Sequence, residues 1–226
     1  MKNQMKSTDE QMVKITFGSI TLDGILTVPP EAEAIVLFAH GSGSSRFSNR
    51  NLFVAKFLQK KGLATLLFDL LTRKEEEHDR ISGELRFDIS LLTMRLAGAT
   101  TWLPSRKETK GLTVGYFGAS TGAAAALSAA AMKPDIVRAV VSRGGRPDLA
   151  GPALKDVRAP TLFIVGGDDT QVLKLNENAL RQMSAQKKLE IVPGATHLFE
   201  EPGTLETAAR LASQWFLTYL KPGSIT

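Results

Sequence analysis

Apolar positions along this chain fall into two alternating patterns. Short apolar runs occupy Ala34 to Ala39, Leu63 to Phe68, Leu112 to Phe117, Ile136 to Ser142, Thr161 to Val165 and Leu189 to Val192. Nearly unbroken runs of this length read as strands buried on both faces. Between them the period lengthens to that of a helix. Asn49 to Lys61 carries Leu52, Ala55 and Leu58 on one face and closes at Gly62. Leu85, Ile89, Leu92, Leu96, Ala99 and Leu103 repeat at spacings of 4-3-4-3-4, which predicts one long helix ended by Pro104. Ala123 to Met132 is almost all alanine and stops before Pro134. Leu175 to Met183 predicts a further helix. The stripe Leu205, Ala208, Ala209, Ala212, Trp215, Phe216 and Tyr219 predicts a last one, ended by Pro222-Gly223.

Two segments break the alternation. Val13 to Phe17 and Thr21 to Val28 alternate apolar and polar around Gly18-Ser19, as an antiparallel hairpin does, and Pro29-Pro30 ends it. Asp69 to Gly83 is irregular. Its charged run Glu75 to Arg80 reads as a solvated loop or short helix, with His78 simply exposed. Strands alternating with helices after an opening hairpin predict an α/β protein, with a mostly parallel sheet and helices on both faces. No repeat, linker or low-complexity stretch is visible. The expected organisation is a flexible N-terminus over 1–11 and a single domain over 12–221.

Composition narrows the class. With 226 residues there is enough chain for one α/β domain with a sizeable core. Lys and Arg are scattered despite a net charge of +5, so a nucleic-acid partner is unsupported and only weak attraction to anionic substrates follows. Zero cysteines exclude disulfides, thiol chemistry and a cysteine metal site. No uninterrupted apolar run approaches the roughly 20 residues that span a bilayer. Met1 to Gln11 is polar, with no apolar signal core. A cytoplasmic enzyme with no membrane partner is the expectation.

Candidate chemistry centres on Gly118-Ala119-Ser120-Thr121-Gly122, set between an apolar strand and the alanine helix. A sharp strand-to-helix turn leaves little room for side chains two residues from its apex, so glycine fits both places. Its apex serine is held above the sheet at a helix N-terminus, which favours developing negative charge. The alternative of a phosphate loop lacks its Gly-Lys-Ser/Thr ending. A serine nucleophile needs a base, and the base needs an orienting acid. On this scaffold the order is serine, acid, histidine. Of the three histidines only His197 follows Ser120. The acid should follow a strand between them, which leaves Asp168 and Asp169. Asp169 is preferred, one residue deeper in the turn with Val172 beneath it, and either could be a helix N-cap. Oxyanion donors are expected from the backbone N–H groups of Thr121 and of Ser42, in the small-residue loop after Ala39. Arg46, Arg86 and Arg143 lie near strand ends or the irregular segment, and one or more could clamp a substrate carboxylate or phosphate. No metal cluster is visible, and the chemistry needs no cofactor.

Taken together, His40-Gly41-Ser42-Gly43, Gly118 to Gly122, Gly167-Asp168-Asp169 and His197 resemble the oxyanion loop, nucleophile turn, acid turn and base loop of the α/β-hydrolase superfamily. The resemblance spans about Ile15 to Leu220. With no insertion between Ser142 and Thr161, the chain looks most like the dienelactone-hydrolase-like branch. That likeness implies an α/β-hydrolase fold, with an eight-stranded sheet, an antiparallel second strand and no large cap domain. True dienelactone hydrolases use a cysteine nucleophile, where this chain has Ser120. The implied activity is therefore a serine hydrolase acting on a small carboxylic ester or lactone, an anionic one among the options. Acyl transfer or perhydrolysis by the same residues is an alternative, as is a non-catalytic binding protein on this scaffold. Segment 70–84 or a partner subunit could cover the open site, and the chain is expected to be a monomer or homodimer.

Overall fold

The computed structural model describes residues 10–220. Residues 1–9 of the expected flexible N-terminus and the Pro222-Gly223 stop lie outside them. Glu10 and Gln11, expected in that flexible segment, instead begin the first strand, where they pair with Thr27 and Leu26.

Strand β1 (Glu10–Phe17) and strand β2 (Ile20–Thr27) form the hairpin, turning at Gly18 with φ +55°. Six further strands follow: β3 (Ala34–Ala39), β4 (Ala64–Phe68), β5 (Thr113–Ala119), β6 (Val137–Arg143), β7 (Thr161–Gly166) and β8 (Lys187–Val192). They make one eight-stranded sheet in the order β1-β2-β4-β3-β5-β6-β7-β8. β2 is antiparallel to both of its neighbours, and β3 to β8 run parallel. Both faces are covered, which is why the central strands read as continuous apolar runs. Alternate residues serve opposite cores. Ile35, Leu37 and Tyr116 face helices α3 (Ile89–Trp102), α4 (Thr121–Met132) and α5 (Thr170–Gln182). Val36, Phe38 and Phe117 face helices α1 (Asn49–Gln59) and α6 (Thr204–Leu220).

α4 lies against the sheet with Ala123 to Leu127 wholly buried. Its alanines let the helix backbone approach the strands closely, and longer side chains would overpack the site.

Two helix expectations need correction. The long helix from Leu85 is broken: a 3-10 turn covers Leu85–Phe87, and α3 begins after Asp88. The Asp88 carboxylate accepts the Leu91 N–H at 2.9 Å, so a local cap ends one turn and starts the next. Of the loop or short helix read over Glu75 to Arg80, the helix forms, as α2 (Arg73–Ser82). Thr72 and Glu75 make a reciprocal capping box, and Gly83 ends the helix at φ +70°. α5 starts at Thr170 rather than Leu175. Between β6 and β7, 3-10 turns cover Pro147–Asp156, kinked at Gly151, and bury Pro147, Ala150 and Leu154.

Candidate active site

β5 ends at Ala119 and α4 starts at Thr121, so Ser120 alone makes the turn. Its backbone sits at φ 51°, ψ −124°, a conformation that costs a non-glycine residue about 1–3 kcal/mol. Bonds on both sides hold it there. The Ser120 N–H donates to the Arg143 carbonyl at 3.3 Å, and its own carbonyl accepts the N–H groups of Ala123 and Arg146, both at 3.1 Å. Side chains two residues away are excluded as expected. A Cβ at Gly118 would collide with the backbone of Ala123, and one at Gly122 with the carbonyl oxygens of Ala39 and His40. The serine side chain is left half-buried at the carboxyl edge of the parallel strands, where open α/β sheets bind ligands.

His197, in the loop after β8, faces Asp169: Nδ1 and Oδ2 are 2.6 Å apart. Asp169 holds the N-cap position of α5, yet its side chain makes no cap bond. The carboxylate is given to the imidazole instead, with 13% of the side chain exposed. Asp168, the other candidate, is exposed and has no such contact. Gly144 backs the ring, and a Cβ there would lie 3.6 Å from Nδ1 and Cε1. Among the described residues no hydrogen bond joins Ser120 Oγ to the ring, and bonds of this kind tighten once substrate is bound.

The loop after β3 lies against the serine, for a Cβ on Gly41 would be 3.1 Å from Ser120 Cβ. His40 ties this loop to the one after β4. Its Nε2 accepts the Leu70 N–H at 3.1 Å, so Nδ1 carries the proton and donates to the Gly41 carbonyl at 2.9 Å. Burial pushes its pKa below the usual histidine value, which keeps this neutral tautomer. Ser42 differs from expectation. Its N–H is taken by the Thr121 hydroxyl at 2.8 Å rather than left open to a substrate. Thr121 is the first residue of α4, where N–H groups have no partner within the helix.

Two of the three arginines singled out are already paired. Arg46 is bonded to Asp69 and lies over the Phe47 ring. Arg86 Nε donates to Asp79 at 2.7 Å, and Nη2 to the Asp79 carbonyl at 2.6 Å. Arg143 is different. It is buried at the end of β6, with no acid in ion-pair range among the described residues. Its guanidinium stacks 5.4 Å from the centre of the Phe199 ring, and Nε has no hydrogen-bond partner among the described residues. Burial, with Arg50 nearby, pushes its pKa down to about 10. Arg50, on the first turn of α1, has its own acid: Nη1 donates to Glu200 at 3.3 Å.

α2 roofs a cavity of about 360 Å³ lined by His40, Ser44, Arg46, Leu71, Glu76 and Arg80 among others. That lining includes neither Ser120 nor His197, so the 70–84 segment stands over the neighbouring cavity. Glu75 ties α2 to Arg95 of α3 at 2.5 Å. Among the described residues, no three His, Asp or Glu side chains converge as metal ligands would. Nor is any described helix long and apolar enough to cross a membrane.

A sheet of this order, covered on both faces and carrying a strained serine between its fifth strand and the next helix, is that of an α/β hydrolase. Comparison gives the family. Residues 22–222 match the model of the Dienelactone hydrolase family, and the chain belongs to it. The crystal structure of a dienelactone hydrolase from Anabaena variabilis superimposes with a TM-score of 0.93 at 58% identity, covering 95% of this chain and 99% of that one. A Pyrococcus furiosus esterase shares the fold at 16% identity, with a TM-score of 0.73 over 95% of this chain and 92% of its own. Two Mycobacterium tuberculosis proteins, each named "Putative phosphoribosyl transferase", are 56% identical over 211 residues, which is 93% of this chain and 47% of theirs. The chain spans about half the length of these curated relatives.

Proposed function

We propose that this chain is a serine hydrolase of small carboxylic esters or lactones, with Ser120 as nucleophile, His197 as base and Asp169 as its orienting acid. The observation that carries the reading is the 2.6 Å contact of His197 Nδ1 with Asp169, on loops at the same sheet edge as a serine strained into a strand-to-helix turn. Ser120 Oγ attacks the carbonyl carbon as its proton passes to His197 Nε2. The carbonyl oxygen becomes an oxyanion at the N-terminus of α4. Collapse expels the alkoxide, which takes the proton from His197 and leaves an acyl-serine. Water attacks next, with His197 as base again, and release of the acid restores Ser120. Asp169 holds the Nδ1–H tautomer and stabilises the imidazolium. Each step uses only side chains, backbone and water. The phosphoribosyl transferase name belongs to proteins about twice as long as the region they share with this chain.

A fluorophosphonate probe followed by mass spectrometry tests the reading. We expect an adduct on Ser120 in wild type and none in His197→Ala. An unlabelled wild type, with the protein folded, would overturn it.

Arg143 supports an anionic acyl group. A buried guanidinium without an acid is costly unless an anion completes it. Arg143→Met is expected to raise KM for the p-nitrophenyl hemiester of a dicarboxylic acid by about 10- to 100-fold. KM for the neutral ester of the same length should stay the same. Equal effects on both esters would remove Arg143 from substrate binding.

A further inference from the structure

The contact between Ser42 and Thr121 joins the two groups from which oxyanion donors were expected. Thr121 Oγ1 accepts the Ser42 N–H at 2.8 Å, across 79 residues of sequence. A hydroxyl has one proton and two lone pairs. Once a lone pair is used by Ser42, the proton still needs an acceptor, and none is found among the described residues. Thr121 is only 3% exposed, so solvent is a poor substitute. A buried donor left without a partner is costly unless a ligand completes it.

Its surroundings say which ligand. Thr121 follows the nucleophile directly, and its own N–H opens α4, whose first turn holds no acid. Hydroxyl and N–H belong to one residue, the one directly after Ser120. The junction cannot readily spread apart. Gly41 lies against Ser120, and Gly122 is jammed under the carbonyls of Ala39 and His40. A hydroxyl that accepts an N–H bond is polarised into a better donor, and the helix N-terminus adds positive potential.

Resting on the serine-hydrolase reading above, we infer that the Thr121 hydroxyl is a catalytic residue: it receives the Ser42 N–H and donates its own hydrogen bond to the substrate oxyanion, beside the Thr121 backbone N–H. No proton is transferred, since Thr121 keeps its hydrogen throughout. Ser42 then acts through the hydroxyl instead of touching the substrate.

Three variants test this on p-nitrophenyl acetate, with melting curves to confirm folding. Thr121→Val keeps the shape and removes the hydroxyl. It should lower kcat by roughly 10²- to 10³-fold, the usual cost of one oxyanion donor, with KM little changed. Thr121→Ser keeps the hydroxyl and should retain most of kcat. If the valine variant does not fold, Thr121→Ala makes the same comparison. Binding of an alkyl boronic acid, which forms a tetrahedral adduct on serine, should weaken in parallel with kcat. A valine variant as fast as wild type or faster would overturn the proposal, because the hydroxyl would then be plugging the site. Equal losses in serine and valine variants would also overturn it, since packing rather than the hydroxyl would be responsible. Fluorophosphonate labelling of wild type separates the two readings. Labelled Ser120 with an unimpaired valine variant removes only the role of Thr121, whereas a folded but unlabelled wild type removes both.

Discussion

Ser120→Ala is expected to lower kcat for a reactive ester by roughly 10⁶-fold, measured as initial rates at saturating substrate. Without Oγ no acyl-enzyme forms. What remains is attack by water, helped by oxyanion donors and by substrate binding. The loss should fall on kcat because the nucleophile contributes little to ground-state binding. The same position carries a second, separable signature. Ser120 sits at φ 51°, ψ −124°, where a side chain is strained. Alanine keeps that strain and glycine relieves it, so Ser120→Gly should melt above Ser120→Ala although both are inactive. Activity within about tenfold of wild type in the alanine variant would mean that hydrolysis occurs elsewhere.

Asp169→Asn is expected to cost roughly 10⁴-fold in kcat, while Asp168→Asn stays near wild type. The amide can donate a hydrogen bond to His197 Nδ1, where the carboxylate accepts one. It therefore favours the tautomer with its proton on Nε2, and that ring cannot take the serine proton. The change is nearly isosteric, so melting should shift little. Asp168 is exposed and makes no contact with the imidazole. Steady-state kinetics on the two variants settle which carboxylate acts. A large loss in Asp168→Asn with none in Asp169→Asn would reverse the assignment.

Much of this architecture is legible in the sequence. Ala34 to Ala39 matches β3 residue for residue, because a strand buried on both faces has no polar position to blur its ends. The helix N-termini were harder to read. Asp88 looked like a polar position on a continuous apolar period, and its cap bond to Leu91 breaks that period without altering it. The charged run Glu75 to Arg80 allows a loop or a short helix, and the capping box of Thr72 and Glu75 is what selects the helix.

The order of the candidate parts along the chain follows from sequence alone, because a strand followed by a turn of glycines has few ways to fold. Ser120 at the apex, Asp168 or Asp169 after β7 and His197 after β8 are set by chain position and by the parallel strands that end there. Tertiary structure decided what depends on distances between remote residues. It set Asp169 rather than Asp168 against His197, gave Arg46 and Arg86 their acids while leaving Arg143 without one among the described residues, and turned the Ser42 N–H onto Thr121. Local sequence cannot supply these, because a hydrogen bond is made or lost over less than an ångström, and that separation is settled only when both faces of the sheet are packed.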